Sequence, residues 1–259
     1  MKYLKTLSLV LSIVFFSYVK ADTYVVVDLD ETVRQSNVLN KADALFRIIS
    51  NRVSTYEGMR HILKSLEEDR IEKGEGIKFF YISASFNWLY DAESWLEKYD
   101  FPVGEINQRT LGEKTKEYKI QTILSHLSAT VLETDEVIFI GDNAEHDPEV
   151  YQTVSKRLDL AFAPKVFIRD IKGEQMIFKK SRREGVFYFL SVFEILKSKI
   201  KELKIEKLDH QKFLIKRDRL IPQYTRKRIS KKLGKKRSQG FFKHYYQKYL
   251  AYINALIVY

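Results

Sequence analysis

The chain has 259 residues, 45% hydrophobic and 14% aromatic, enough to bury the core of one substantial domain with an appendage. It contains no cysteine, which excludes disulfides and thiolate metal sites. The net charge of +11 is concentrated at one end: residues 201–259 hold 17 Lys/Arg against 4 Asp/Glu, and the rest of the chain is nearly neutral.

Residues 1–21 read as a secretory signal peptide. Lys2 and Lys5 make a positive start, residues 6–19 form an uncharged, mostly apolar run of 14, and Val19-Lys20-Ala21 offers small residues before a cut. The run is shorter than the ~20 residues a spanning helix needs. An exported chain, periplasmic or secreted, is expected; an uncleaved membrane tether is the alternative.

Residues 23–27 form the first predicted strand and lead straight into Asp28. Residues 77–82, 137–140 and 165–168 are further apolar runs. Their length suits strands buried on both faces of a parallel sheet. Between them, Leu89, Ala92, Leu96 and Tyr99 recur at helical spacing, and so do Ile120, Ile123, Leu124 and Leu127. This alternation predicts an α/β fold with a Rossmann-like parallel sheet flanked by helices. In such sheets ligands bind beyond the carboxyl ends of the strands. Asp28, Ser83 and Asp142 stand at such ends.

Past Gln175 the pattern changes. Val186, Phe189, Leu190, Phe193, Leu196, Ile200 and Leu203 predict one face of a long helix. Residues 224–240 are a basic run with little apolar content, and residues 241–259 an aromatic, helical segment. The expected division is a signal at 1–21, a catalytic domain at 22–175 and a basic, mostly helical extension at 176–259.

The chemistry-bearing residues occur in a definite order. Asp28 and Asp30 are two apart at a strand end, where one carboxylate can attack as a nucleophile and the other move protons. Two acids so close need an offset, and a metal ion is the usual one. Thr32 is placed to brace the turn with its hydroxyl. Ser83 offers a hydroxyl and free amides for a phosphoryl oxygen, and Lys119 an ammonium to neutralise one. Lys114 and Lys116 are alternatives to Lys119. Asp142 follows a buried strand, where it can complete an oxygen-rich site for Mg²⁺. Asp147, before Pro148 and Glu149, also reads as a helix N-cap. His146 reads as exposed.

This order resembles the haloacid dehalogenase-like hydrolases: "DLDET", then Ser83, then Lys119, then "GDNAEHD". "VVDLDETV", "FFYISASFNWLY", "YKIQTI", "FIGDNAEHDPEVY" and "VFIRDI" resemble one branch more closely, the actin-patch phosphatidate phosphatase catalytic domain and its bacterial relatives. The likeness covers about residues 23–171. The chain departs from the branch at Glu31, at Phe86-Asn87-Trp88 and at Tyr118.

The resemblance implies a mechanism. Asp28 attacks phosphorus and forms an aspartyl-phosphate. Asp30 protonates the leaving oxygen and then activates water. Ser83 and Lys119 hold the transferring group, with Thr32 and Ser85 also on the phosphate. Mg²⁺ is held by Asp28, Asp30 through its backbone carbonyl, and Asp142, with Asp147 supporting the metal or the lysine. The about 45 residues between Thr32 and Ile77 are expected to form a small helical cap.

The expected activity is that of an exported Mg²⁺-dependent phosphatase acting on phosphatidate or a related phospholipid. A phosphomonoesterase for small phosphate esters is the alternative within the same chemistry. A membrane- or polyanion-binding protein with a vestigial hydrolase domain is the alternative outside it. The basic tail reads as a solvated helical face or as a surface for anionic lipid. No nucleic-acid motif accompanies it.

Overall fold

The structure is a computed structural model that describes residues 21–49, 53–158, 160–179 and 183–257. The expected signal peptide lies outside the described residues, apart from Ala21. In chain order the elements are β1 (Thr23–Asp28), α1 (Lys41–Ile49), α2 (Met59–Glu72), β2 (Ile77–Phe86), α3 (Ala92–Lys98), β3 (Glu105–Arg109), α4 (Thr115–Leu127), β4 (Glu136–Asp142), α5 (Asp147–Arg157), β5 (Lys165–Arg169) and β6 (Val186–Phe189). The tail continues as α6 (Val192–Ser198), a 3₁₀ turn (His210–Phe213), α7 (Arg217–Leu220), α8 (Gln223–Leu233) and α9 (Lys235–Ile257).

The six strands form one parallel sheet in the order β3-β2-β1-β4-β5-β6. The chain builds outward from β1 in one direction and then, from β4, in the other. The crevice between β1 and β4 is therefore the switch point at which such sheets bind ligands. The register sets Asp28 opposite Ile82 and Val27 opposite Ile140. Ser83 and Asp142 thus lie one residue's rise past Asp28 on either side.

Alternation along β1 divides the core. Val25 and Val27 face Met59, Ile62, Leu63 and Leu66 of α2. Tyr24 and Val26 face Ile120, Ile123 and Leu127 of α4 and Val150 and Val154 of α5. Each fully buried apolar side chain of this kind contributes roughly 1.5–3 kcal/mol, so the two layers clamp the sheet from both faces. Phe213 and Ile215 of the tail, with Tyr249 and Ile253 of α9, join the α2 side of this core. The tail is therefore packed on the body.

The expected long helix from Val186 is not formed. Its spacing of three and four residues is shared by a strand, a corner and a short helix. Phe187, Tyr188 and Phe189 pair with Phe167, Ile168 and Arg169 of β5, which buries Tyr188 and Phe189 in the sheet. Ser191 then starts α6 with a full capping box, its hydroxyl accepting from Phe193 N and Glu194 reaching back to Ser191 N. Two strands beyond the four expected appear, β3 and β6, at the two edges of the sheet. Residues 176–259 thus include a strand of that sheet.

Between Thr32 and Ile77 the expected cap is divided in role. α2 covers the sheet, whereas Ala44 and Leu45 of α1 line the cavity over Asp28. No helix among the described residues is long and apolar enough to cross a membrane.

Candidate active site

A cavity of about 240 Å³ opens at the carboxyl ends of β1, β2, β3 and β4. Asp28, Asp30, Lys119, Asp142 and Asp147 make its polar floor. Val38, Ala44, Leu45, Phe86 and Leu89 make an apolar wall, with Arg109 beside it.

Lys119 Nζ donates to Asp28 Oδ1 at 2.6 Å and to Asp147 Oδ1 at 2.5 Å. Lys119 lies in the second turn of α4, so the helix itself delivers the ammonium to the floor. Lys114 and Lys116 do not line the cavity. Thr32 Oγ1 lies 3.0 Å from Asp28 Oδ2 and 3.3 Å from Asp142 Oδ2, bracing both acids as well as the turn. Asp147 Oδ2 accepts from Asp142 N at 3.1 Å. The N-cap reading of Asp147 is thereby corrected: His146 occupies the cap position, half-exposed, and the Asp147 carboxylate is turned to the lysine and to β4. Gly141 is required here, because a Cβ would sit 2.5 Å from Asp147 Oδ2 and 2.7 Å from the Tyr151 ring.

Carboxylate oxygens of Asp28, Asp142 and Asp147 all lie within 4.8 Å of one another, and all three residues are buried. Three buried acids share one lysine. Burial, then the neighbouring Asp147, pushes the Asp28 carboxyl well above its usual range, against the pull of Lys119. Asp142 is raised in the same way, by burial and then by Asp147 and Asp28. Burial alone would lower Lys119, but the three carboxylates outweigh it and hold the ammonium well above its usual range. This all-oxygen donor set with uncompensated negative charge can bind a hard metal cation.

The Asp30 carboxylate is not part of that group. It accepts from Arg34 Nη1 at 2.7 Å and from the hydroxyls of Ser36, Ser83 and Ser85, each at 2.8 Å. Burial raises its pKa, but Arg34 and then the three hydroxyls outweigh burial and leave it lowered. Ser83 and Ser85, expected on the phosphate, thus hold Asp30. Both stand beside the cavity floor, and Tyr90 donates to Ser83 Oγ at 3.2 Å. The Arg34 guanidinium lies 3.6 Å from the centre of the Tyr90 ring. Arg34 and Ser36 were not singled out in the sequence, although Arg34 stands four residues after Asp30, a spacing that invites pairing.

A second buried cluster supports the same loop. Glu31 has φ 68°, a left-handed conformation rare for a side chain of its size, and is fully buried. Its Oε2 accepts from Tyr56 at 2.8 Å and from Tyr224 of α8 at 2.5 Å, and its Oε1 from Val38 N at 3.0 Å. Burial raises the Glu31 carboxyl, and the two phenols only partly offset this. Arg169, from the "VFIRDI" stretch, stacks 3.9 Å over Tyr56 and donates to Thr32 O. Asp170 gathers the amides of Glu174, Gln175 and Met176.

Residues 23–170 match the sequence model of the phosphatidate phosphatase APP1 catalytic domain, and the chain belongs to that family. The class is therefore a phosphatase of the haloacid dehalogenase-like type, an α/β hydrolytic enzyme. The particular family is the phosphatidate phosphatase catalytic domain, which makes a phosphorylated lipid the family's substrate class. No curated protein matches the chain.

Proposed function

We propose that this enzyme is a Mg²⁺-dependent phosphatase that cleaves phosphatidate, or a related phospholipid monoester, through an aspartyl-phosphate at Asp28. The observation that carries the reading is the pairing of Asp28 and Lys119 on the floor of a cavity whose wall is apolar. An amphiphilic phosphate ester matches both surfaces.

A divalent cation held by Asp28, Asp142 and Asp147 would supply the charge that keeps these buried acids ionised and neutralises a phosphoryl group. Every other part of the reaction belongs to the chain. An Asp28 carboxylate oxygen attacks phosphorus as the bond to the lipid oxygen breaks. Asp30, protonated for this step, passes its proton to that leaving oxygen. Water then attacks the phosphorus of the acyl phosphate, Asp30 takes up its proton, and the bond to Asp28 breaks to release inorganic phosphate. Lys119 stabilises charge on the transferring oxygens in both steps. Ser83 and Ser85 exchange their bonds to Asp30 for bonds to phosphoryl oxygens, which leaves Asp30 free to carry the proton.

Supporting an exported enzyme are the positive start and short apolar run of residues 1–21. The test of the substrate is phosphate release with Mg²⁺ from phosphatidate in detergent micelles and from a small aryl phosphate, with Asp28→Asn as control. Release from phosphatidate that Asp28→Asn abolishes supports the reading. Release from the aryl phosphate alone retains the chemistry and removes the lipid.

A further inference from the structure

Large apolar side chains that stay in water mark a surface that meets something. Four of them belong to the stretches that line the cavity. Leu45 is 47% exposed and also lines the cavity, and Phe46 beside it is 58% exposed. Trp88 is 70% exposed, and its ring stacks at 5.9 Å on Phe86, which lines the cavity. Leu111 is 81% exposed and stands two residues past Arg109, another lining residue. These residues come from three separate stretches: α1, the link after β2 and the link after β3. The other exposed large hydrophobics are placed differently among the described residues. Val103, Leu132 and Phe162 lie in loops before β3, β4 and β5 and Ile71 in the last turn of α2, all at the far end of the sheet; Leu39 borders another, polar pocket with Asn40 and Tyr224, and Leu214 is in the tail.

The mouth also carries cations. Arg109 is fixed by Ala84 O, Glu113 O and Thr115 Oγ1 and lies over the Phe86 ring, so its charge is held in the cavity wall. Lys114 and Lys116 follow on the same link and the first turn of α4. Glu113, just before Lys114, is engaged by the amide and hydroxyl of Thr110.

We propose that this rim of Phe46, Trp88 and Leu111 around the cavity is the surface by which the enzyme docks on an anionic phospholipid bilayer. The inference deepens the phospholipid reading and rests on it. A phospholipid whose phosphate reaches Asp28 must keep its acyl chains in an apolar phase. An apolar rim continuous with the apolar cavity wall provides a path from bilayer to floor without exposing those chains to water. A protein seated on the same face would close the entrance to substrate. Tryptophan suits a membrane interface, since its ring is apolar and its N–H remains hydrogen-bonded. The docking face is thus assigned to the active-site mouth and not to the basic tail.

The chain has two tryptophans, and Trp95 is buried, so emission changes on docking report Trp88. The experiment mixes the full chain with phosphatidylcholine vesicles containing phosphatidate. It follows tryptophan emission, co-sedimentation, and phosphate release from vesicles and from short-chain phosphatidate below its micelle concentration. A blue shift on vesicle addition is expected. The Trp88→Ser/Leu111→Ser variant is expected to lose at least tenfold in sedimentation and vesicle turnover while keeping turnover of the monomeric lipid. Vesicle binding without an emission shift would overturn the inference. So would a variant that sediments like the parent, or binding lost instead on Lys231→Gln/Lys232→Gln/Lys236→Gln. No release from either lipid, with the emission shift intact, would remove the substrate reading and support the docking surface.

Discussion

The phenol of Tyr224, in the tail, donates to Glu31 Oε2 at 2.5 Å, one residue past Asp30. Tyr56 shares the same oxygen, and the two phenols are themselves 2.5 Å apart. A left-handed glutamate inside the catalytic loop is thus held by a residue 193 positions away in sequence. The tail is part of what shapes the site.

Tyr224→Phe is expected to destabilise the protein by about 1–3 kcal/mol, the cost of leaving a buried acceptor short of a donor. Urea unfolding measures this directly, and phosphate release should fall with it. An unchanged midpoint would separate the tail from the loop. Deleting residues 201–259 outright would not isolate a tail function, because Phe213, Tyr249 and Ile253 leave the core with it.

Metal binding should appear in stability as well as in turnover. A ligand that binds only the folded state at a hundred times its dissociation constant adds about 2.7 kcal/mol. Millimolar Mg²⁺ added to chelator-treated protein should therefore raise Tm. Asp142→Asn should abolish that rise, since Asp142 is one of the three clustered acids. Calorimetry showing the same rise in the variant would place the ion elsewhere.

Gly141→Ala tests the packing that aims Asp147. The added methyl would meet Asp147 Oδ2 at 2.5 Å and the Tyr151 hydroxyl at 2.8 Å. Overpacking of this kind costs about 1–3 kcal/mol. Because the displaced carboxylate also holds Lys119, kcat should drop further than the loss of folded protein explains.

His61 makes stability depend on pH. It stacks edge-on against Phe213, with ring centroids 5.6 Å apart. Burial, then Arg60 and Lys212, lowers its pKa from 6.5 to about 4. The unfolded chain therefore takes up a proton near pH 6.5 that the folded chain refuses until about pH 4. Its contribution is present above pH 6.5 and is lost as pH falls through that window. Comparing Tm of the parent and His61→Phe between pH 7.5 and 4 reads the difference, which should shift against the parent as pH falls and would stay constant if another group were responsible.

The sequence made the centre of this molecule legible and its edges less so. β1, β2, β4 and β5 are continuous apolar runs because they are buried by helices or by other strands. β3, with the sequence EINQR, is a half-buried edge strand and carries no such run. β6 was hidden for another reason: the spacing of Val186, Phe189, Leu190 and Phe193 fits a helix as well as a strand, a corner and a cap. The Ser191-x-x-Glu194 capping box was the available signal for the break. In the site, the acids, Thr32 and Lys119 were legible because the chain places them directly after strands or at a helix start. The partners of Asp30 and Glu31 were not. Arg34 looks like an ordinary surface arginine until its burial is known, and no local pattern connects Tyr224 to Glu31.

The central claim is covalent chemistry at Asp28. The most direct measurement is borohydride reduction of the enzyme quenched during turnover of phosphatidate with Mg²⁺, followed by peptide mass spectrometry. An aspartyl-phosphate is reduced at the acylated carboxyl, so homoserine should appear at position 28 and at no other acid. It should be absent without substrate or Mg²⁺. Steady phosphate release with an unmodified Asp28, or undiminished release by Asp28→Asn, would contradict the account.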